Sequence, residues 1–253
     1  MAKVKSIAFI GSVRFAAACC WTLHHAGLTL GQIVSWPMDE SVAGWEGMPH
    51  VSTLSRNITT KDANSPKVIE AVSRCDLLVC GGWSRIFGAG LLRACPLGAV
   101  NLHPTLLPEG RGRAPIPWTI IKGLKRSGVT LHYMTEGCDD GDIIAQEEYP
   151  IDPDETAETL YFKATEAAQR LCREYVPRLL EGSAPRTPQD HAKATVWGKR
   201  TPKDSEVDRN FSSDDIIWAQ VRALDKHYPR AYFLLNTSHG LRKVYLSTQE
   251  RTY

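Results

Sequence analysis

Short apolar runs closed by glycine or by a polar pair, each followed by a segment of helical composition, leave this chain few ways to fold. Ser6 to Ile10 ends at Gly11-Ser12, Thr29 to Trp36 follows, Leu77 to Cys80 ends at Gly81-Gly82-Trp83, and Gly98 to Leu102 is interrupted by Asn101 and closed by His103. Runs of this length bounded by turn residues read as strands buried on both faces. Between them, Phe15 to Leu23 is helical in composition until Gly27, and Ile86 to Ala94 is helical as well. Asn64-Ser65-Pro66 supplies a cap and a first-turn proline for a helix through Val68, Ile69 and Val72 to Asp76. Ala114 to Lys122 reads as a further helix, with Trp118, Ile120 and Ile121 turned inward.

Two more strands, Gly128 to Met134 and Ile143 to Tyr149, are joined by a loop that carries Asp139, and Thr156 to Leu180 is a long amphipathic helix stopped at Gly182. Alternating strands and helices predict an α/β fold, a Rossmann-like, mainly parallel sheet with helices on both faces. From Ala184 the composition shifts toward Pro, Lys, Thr and Asp, with a helix at Asp214 to Leu224 and strands at Arg230 to Leu235 and Leu241 to Leu246 around Ser238-His239-Gly240. The expected division is a main domain over 1–184 and a small helix and β-hairpin subdomain over 185–253. A chain of 253 residues suits one sizeable core with an appendage of this kind.

Charge and cysteine usage narrow the class. Thirty Lys and Arg stand against 28 Asp and Glu, without a long basic run, so a large nucleic-acid surface is not expected. The seven cysteines are odd in number and mostly sit in apolar stretches, which points to a reduced, cytoplasmic setting. No run of eighteen apolar residues occurs, and Met-Ala-Lys-Val-Lys leads straight into a strand, so neither a membrane span nor a signal peptide is expected. Gly11 lacks the Gly-x-Gly-x-x-Gly pattern of dinucleotide sites, and Cys19-Cys20 and His24-His25 have no second pair at zinc-site spacing. No nicotinamide cofactor and no metal are expected. Ser12 and Ser84 lack the strand-turn-helix context of a nucleophilic serine.

Residues 101–118 read Asn-Leu-His-Pro-Thr-Leu-Leu-Pro-Glu-Gly-Arg-Gly-Arg-Ala-Pro-Ile-Pro-Trp. Asn101 and His103 leave the end of a strand on alternate positions and so share one face. Pro104, Pro108, Gly110, Gly112, Pro115 and Pro117 then fix or release φ so often that the backbone path is dictated by sequence. In open α/β sheets the ligand lies beyond the carboxyl ends of the strands, where Gly11-Ser12, Gly81-Gly82-Trp83 and Asn101-Leu102-His103 converge. Asp139, Asp140 and Asp142 compete to supply the carboxylate for this crevice. His132, in a strand pattern, reads as a buried hydrogen-bonded histidine or as a second imidazole facing the cleft.

The stretch from about Ser6 to about Leu180, and most densely Gly98 to Glu148, resembles the formyltransferases that use 10-formyltetrahydrofolate. These include methionyl-tRNA formyltransferase, glycinamide ribonucleotide formyltransferase and the formyltransferases of nucleotide-linked amino sugars. Asn101, His103 and Asp139 match the family's catalytic Asn, His and Asp in order and approximate spacing. The resemblance implies that neutral His103 takes a proton from the attacking amine, histidine's ordinary pKa being about 6.5. It implies that Asn101 donates to the developing oxyanion, a role worth about 3 kcal/mol in comparable sites, and that Asp139 orients the imidazole. Asp142 then reads as a loop-shaping group.

By the same resemblance, 10-formyltetrahydrofolate lies against Gly82, Trp83, Arg85 and Ile86 and against Thr135, Gly137 and Cys138, although Trp83 equally suits the core. The acceptor approaches Ser12, Arg14, Trp36, Met38 and Arg113. Arg113 is the better phosphate ligand of the two arginines, since Arg14 also suits a surface charge at a helix start. Trp197-Gly198-Lys199-Arg200-Thr201-Pro202-Lys203-Asp204 and Val221 to Leu224 resemble the tails of sugar N-formyltransferases. Pro37 to Pro49 holds Asp39, Glu40 and Glu46 and no Lys or Arg, the wrong charge for tRNA. The expected partner is therefore a nucleotide-linked amino sugar, with methionyl-tRNA or another amine as alternative acceptors. A 10-formyltetrahydrofolate hydrolase and a non-catalytic folate-binding relative remain open. A homodimer through the terminal hairpin is also expected.

Overall fold

The computed structural model describes residues 4–37, 51, 54–208, 212–224, 228–238 and 240–248. A seven-stranded sheet runs in the order β3-β2-β1-β4-β5-β7-β8. Its strands are β1 (Ser6–Gly11), β2 (Thr29–Ser35), β3 (Asn57–Thr59), β4 (Leu77–Gly81), β5 (Ala99–His103), β7 (Arg126–Tyr133) and β8 (Ile143–Pro150). The first five are parallel, and β7 and β8 pair antiparallel against β5 and each other. Alternation along the strands creates two cores. Ile7, Phe9, Leu77 and Val79 enter one cluster, whereas Ala8, Ile10, Leu78 and Cys80 enter the other. Each fully buried large aliphatic residue contributes about 1.5 to 3 kcal/mol, so such strands are held from both sides.

Helices α1 (Arg14–His25) and α5 (Ala157–Glu181) cover the first face, and α2 (Pro66–Val72) and α3 (Ala89–Leu92) cover the second. Val13, the cap residue of α1, has no side-chain acceptor, and the Tyr161 hydroxyl of α5 takes the Phe15 N–H at 2.7 Å in its place. Helix α5 starts with a Thr156–Thr159 capping box and stops at Gly182, whose φ is 80°. Helix α3 is shorter than Ile86 to Ala94 would allow. Gly88 and Gly90 weaken its start, and Ile86 is 59 % exposed, outside the apolar stripe.

Residues beyond Gly182 return to this body. Thr187 bridges Ile143, and β9 (Val196–Trp197) pairs in parallel with β6 (Arg111–Gly112). Helix α6 (Asp214–Ala223) follows, and its Val221 and Ala223, with Leu224 and Ala231, join the same core as β1 and α5. Strands β10 (Tyr232–Thr237) and β11 (Gly240–Tyr245) form an antiparallel hairpin. The short α4 (Pro115–Ile121) carries the chain from β6 to β7. No helix among the described residues is long and apolar enough to cross a membrane.

Candidate active site

Strand order reverses at β1, which has β2 on one side and β4 on the other, and this opens a crevice at the carboxyl end of the sheet. Gly11 and Gly81 face each other at its mouth. Just beyond, the buried Ser12 hydroxyl donates to the Gly82 carbonyl, and Gly82 has a φ of 63°. A side chain at Gly82 would place Cβ 2.3 Å from Val13, so the turn requires glycine.

One strand over, Asn101 lies opposite Cys80 on β4 and opposite His132 on β7. His103 is 5 % exposed, and its Nε2–H is donated to the Gly110 carbonyl at 2.8 Å. That leaves Nδ1 to face Asp139 Oδ2 at 3.6 Å. The loop between β7 and β8 brings Asp139 in with a φ of 50°, a left-handed conformation that Asp tolerates better than most residues. Its Oδ2 also accepts the Gly112 N–H at 2.9 Å, while Oδ1 accepts from Asn101 Nδ2 at 3.4 Å and lies 3.6 Å from His132 Nε2.

Burial raises the Asp139 pKa, but His103, His132 and the Gly112 N–H outweigh it and hold the carboxyl well below the usual range. Asp139 is therefore a carboxylate across the working pH range. His132 is 2 % exposed and gives its Nδ1–H to the Tyr133 carbonyl at 2.8 Å, while Nε2 lies 3.3 Å from Asn101 Nδ2 and 3.6 Å from Asp139 Oδ1. Both N–H groups of the Asn101 amide thus have internal partners, at the long end of the hydrogen-bond range. Weak partners are easily exchanged for a stronger acceptor.

Asp140 and Asp142 turn elsewhere. Asp140 accepts from the Thr135 hydroxyl and packs beneath Gly137, where a Cβ would lie 2.1 Å from its Oδ2. Asp142 accepts from Arg186 Nε at 2.6 Å. Cys138 is exposed, 3.6 Å from Asp139 Oδ2; partial burial, with that carboxylate beside it, pushes its thiol up to about 11.

Trp36, Trp83 and Arg85 meet in one wall. The two indoles lie edge to face with centroids 5.2 Å apart, and the Arg85 guanidinium sits 4.9 Å above the Trp36 ring. Trp36 Nε1 and Trp83 Nε1 are buried without an acceptor among the described residues. Ile86 contributes a carbonyl that binds Asn64 Nδ2 at 3.0 Å, and its side chain faces solvent. Arg14 is exposed at the first turn of α1, and Arg113 is exposed with its N–H bound to Trp197 O at 2.9 Å. Met38 and most of Pro37 to Pro49 lie outside the described residues.

His132 takes the cleft-facing of its two sequence readings, whereas no motif marks Gln189 or Thr195 as parts of this assembly. His132 becomes a site neighbour through the antiparallel register that sets it against Asn101. Thr195 Oγ1 accepts the Gly110 N–H at 2.8 Å, and Gln189 Nε2 donates to Asp139 O at 2.9 Å. Both come from the returning tail.

An amide, an imidazole and a carboxylate gathered at the carboxyl end of a doubly wound sheet suit an enzyme that transfers a carbonyl group. The formyl transferase model matches residues 38–176, more than half of the chain, so the chain belongs to the formyl transferase family and is a formyltransferase. The family uses folate derivatives. The fold is shared with a sugar N-formyltransferase from a Shewanella species, at 22 % identity over 97 % of each chain and a TM-score of 0.74. A 4-N formyltransferase from Francisella tularensis is similar at 22 % identity over 96 % of this chain and 97 % of that one, with a TM-score of 0.76. HypX from Aquifex aeolicus, solved in complex with tetrahydrofolic acid, is 18 % identical over 97 % of this chain and 38 % of its own, with a TM-score of 0.72.

Proposed function

We propose that this enzyme transfers the formyl group of 10-formyltetrahydrofolate to the amine of a nucleotide-linked amino sugar. The observation that carries this reading is the cluster in which the Asp139 carboxylate touches both Asn101 Nδ2, at 3.4 Å, and His103 Nδ1, at 3.6 Å. Two buried indole N–H groups without an acceptor among the described residues, at Trp36 and Trp83, fit a flat ring bearing carbonyl and nitrogen acceptors, as a pterin or a nucleobase does. When bound, 10-formyltetrahydrofolate supplies the electrophilic formyl carbon.

The rest of the chemistry falls to the chain. His103, its Nε2–H fixed on Gly110 O, takes the amine's proton at Nδ1 as the new bond to the formyl carbon forms, and returns it to the folate nitrogen as the old bond to that carbon breaks and tetrahydrofolate leaves. Asp139, ionised and 3.6 Å away, stabilises the resulting imidazolium. Asn101 gives up a long internal hydrogen bond to donate to the oxygen that gains charge, an exchange worth about 3 kcal/mol at such a site. Arg113, exposed beside the crevice, is the candidate ligand for the acceptor's phosphates.

The resemblance of Trp197 to Asp204 to the tails of sugar N-formyltransferases supports a sugar acceptor; in the structure this segment starts on β6 and passes α4, with Trp118 Nε1 bound to Gly198 O at 2.9 Å and Arg200 4.8 Å from the Trp118 ring. In the same reading, residues 185–253 are a C-terminal extension packed on the main domain of a cytoplasmic enzyme. Leu234, Leu235, Leu241 and Tyr245, all exposed on the hairpin, favour pairing with a second copy, which light scattering tests.

The test is tetrahydrofolate release from 10-formyltetrahydrofolate across a panel of nucleotide-linked 3- and 4-amino sugars, with methionyl-tRNA and glycinamide ribonucleotide as controls. Turnover confined to an amino sugar is expected. Turnover with methionyl-tRNA alone, or formate release without any acceptor, overturns the assignment.

A further inference from the structure

Gln189 belongs to no strand or helix and to none of the groups that carry the proposed chemistry. It is nevertheless 5 % exposed, and its whole amide is engaged. Nε2 donates to Asp139 O at 2.9 Å and to Gly141 O at 2.7 Å. Oε1 accepts from Arg111 Nε at 3.1 Å and from Arg111 Nη2 at 2.7 Å. Carbonyls on one side and a guanidinium on the other admit a single orientation of this amide.

The segment so held resists holding itself. Asp139 has a φ of 50°, and Gly141 is pressed against the Tyr133 carbonyl, which a Cβ would approach to 1.9 Å. A non-glycine residue in the left-handed region persists when its surroundings over-determine it. Arg111 is itself 8 % exposed, and its Nη2 also donates to His191 Nδ1 at 3.3 Å. The next residue, Gly112, gives its N–H to Asp139 Oδ2 at 2.9 Å. One turn therefore grips Asp139 twice, at the carboxylate through Gly112 and at the main chain through Arg111 and Gln189.

We propose that Gln189, seated by Arg111, is a positioning residue that fixes the Asp139 loop and so sets the carboxylate against His103. The kinetic half of this claim rests on the formyl-transfer reading. Misplacing a catalytic group by about 1 Å lowers turnover on the order of 100-fold, and nothing in the contact of Gln189 reaches a ligand directly.

The test compares wild type with Gln189→Glu, which has the same size and still accepts from Arg111 but turns an oxygen toward the two carbonyls. Two readouts are taken, steady-state kinetics and amide hydrogen exchange over residues 136–142. In the variant, kcat is expected to fall about 10- to 100-fold with both KM values within about twofold, while exchange over 136–142 speeds up at least about tenfold and β7 is unchanged. Wild-type kcat, a loss carried by KM, or unchanged loop exchange overturns the proposal. Arg111→Lys, which keeps the charge and drops the fork, is expected to give the same split and serves if Gln189→Glu does not fold. If wild type transfers no formyl group to any acceptor, the functional reading fails, and loop exchange alone then decides between support and rejection.

Discussion

Trp36 and Trp83, at the ends of two different strands, meet edge to face with their ring centroids 5.2 Å apart. By the family resemblance the first faces the acceptor and the second the folate. Contact between them means that the two ligands would share a wall. Removing one ring frees the other to move, so Trp83→Leu is expected to raise the KM of donor and acceptor together, each about 3- to 10-fold, the scale of one lost aromatic contact. A rise confined to one ligand in steady-state assays would show that the rings act separately.

His103→Asn and Asp139→Asn are each expected to lower kcat by about 10² to 10⁴, the usual scale of general acid–base assistance. Asn is the right replacement at 139 because it also tolerates a φ near 50°. Circular dichroism and a thermal melt at neutral pH should report a folded protein in both cases. Near-wild-type turnover in either variant removes that residue from the chemistry.

The depressed pKa of Asp139 has a consequence for stability. A carboxyl whose folded pKa lies below its unfolded value contributes stability that is complete above the unfolded value and is lost as pH falls. Its contribution is therefore whole at neutral pH and declines once pH drops through the ordinary value of 3.8. In urea melts, the stability gap between wild type and Asp139→Asn is expected to narrow below about pH 4. A gap that widens on acidification would contradict the sign.

Gly112 has a φ of 103°, and a Cβ there would lie 2.4 Å from the Trp197 carbonyl oxygen. Backbone cannot step aside as a side-chain tip can, so Gly112→Ala must break the pairing of β6 with β9. A loss of about 2 kcal/mol or more is expected, which lowers the melting temperature by roughly 4 to 8 °C in a domain of this size. An unchanged melting curve would show that β9 is not held there in solution.

Arg113→Ala is expected to raise the acceptor KM about 10-fold or more with kcat little changed, the scale of one charge-assisted hydrogen bond. Initial rates at saturating donor measure this. A constant KM takes Arg113 out of phosphate recognition.

Strands β1, β2, β4 and β5 were legible because apolar runs buried on both faces leave a continuous signal. β3 was not, since Asn57-Ile58-Thr59 is three residues long and partly polar, and takes its strand character from pairing with β2. Neither β6 nor β9 carries any periodic signal, because each has two residues and exists only through the other. Asn101, His103 and Asp139 were legible as a local motif with one distant partner. Gln189 was not, because its contacts depend on which carbonyls the fold brings within 3 Å of its amide, and no spacing along the chain encodes that.

The parallel pairing of Arg111–Gly112 with Val196–Trp197 also sets an order of events during synthesis. Every strand of the main sheet leaves the ribosome before residue 195 does. The catalytic loop then waits, its Gly110, Arg111 and Arg113 amides without their partners, until Thr195 and Trp197 arrive to receive them. The turn that meets Asp139 is thus finished by a stretch of chain made after every strand of the main sheet.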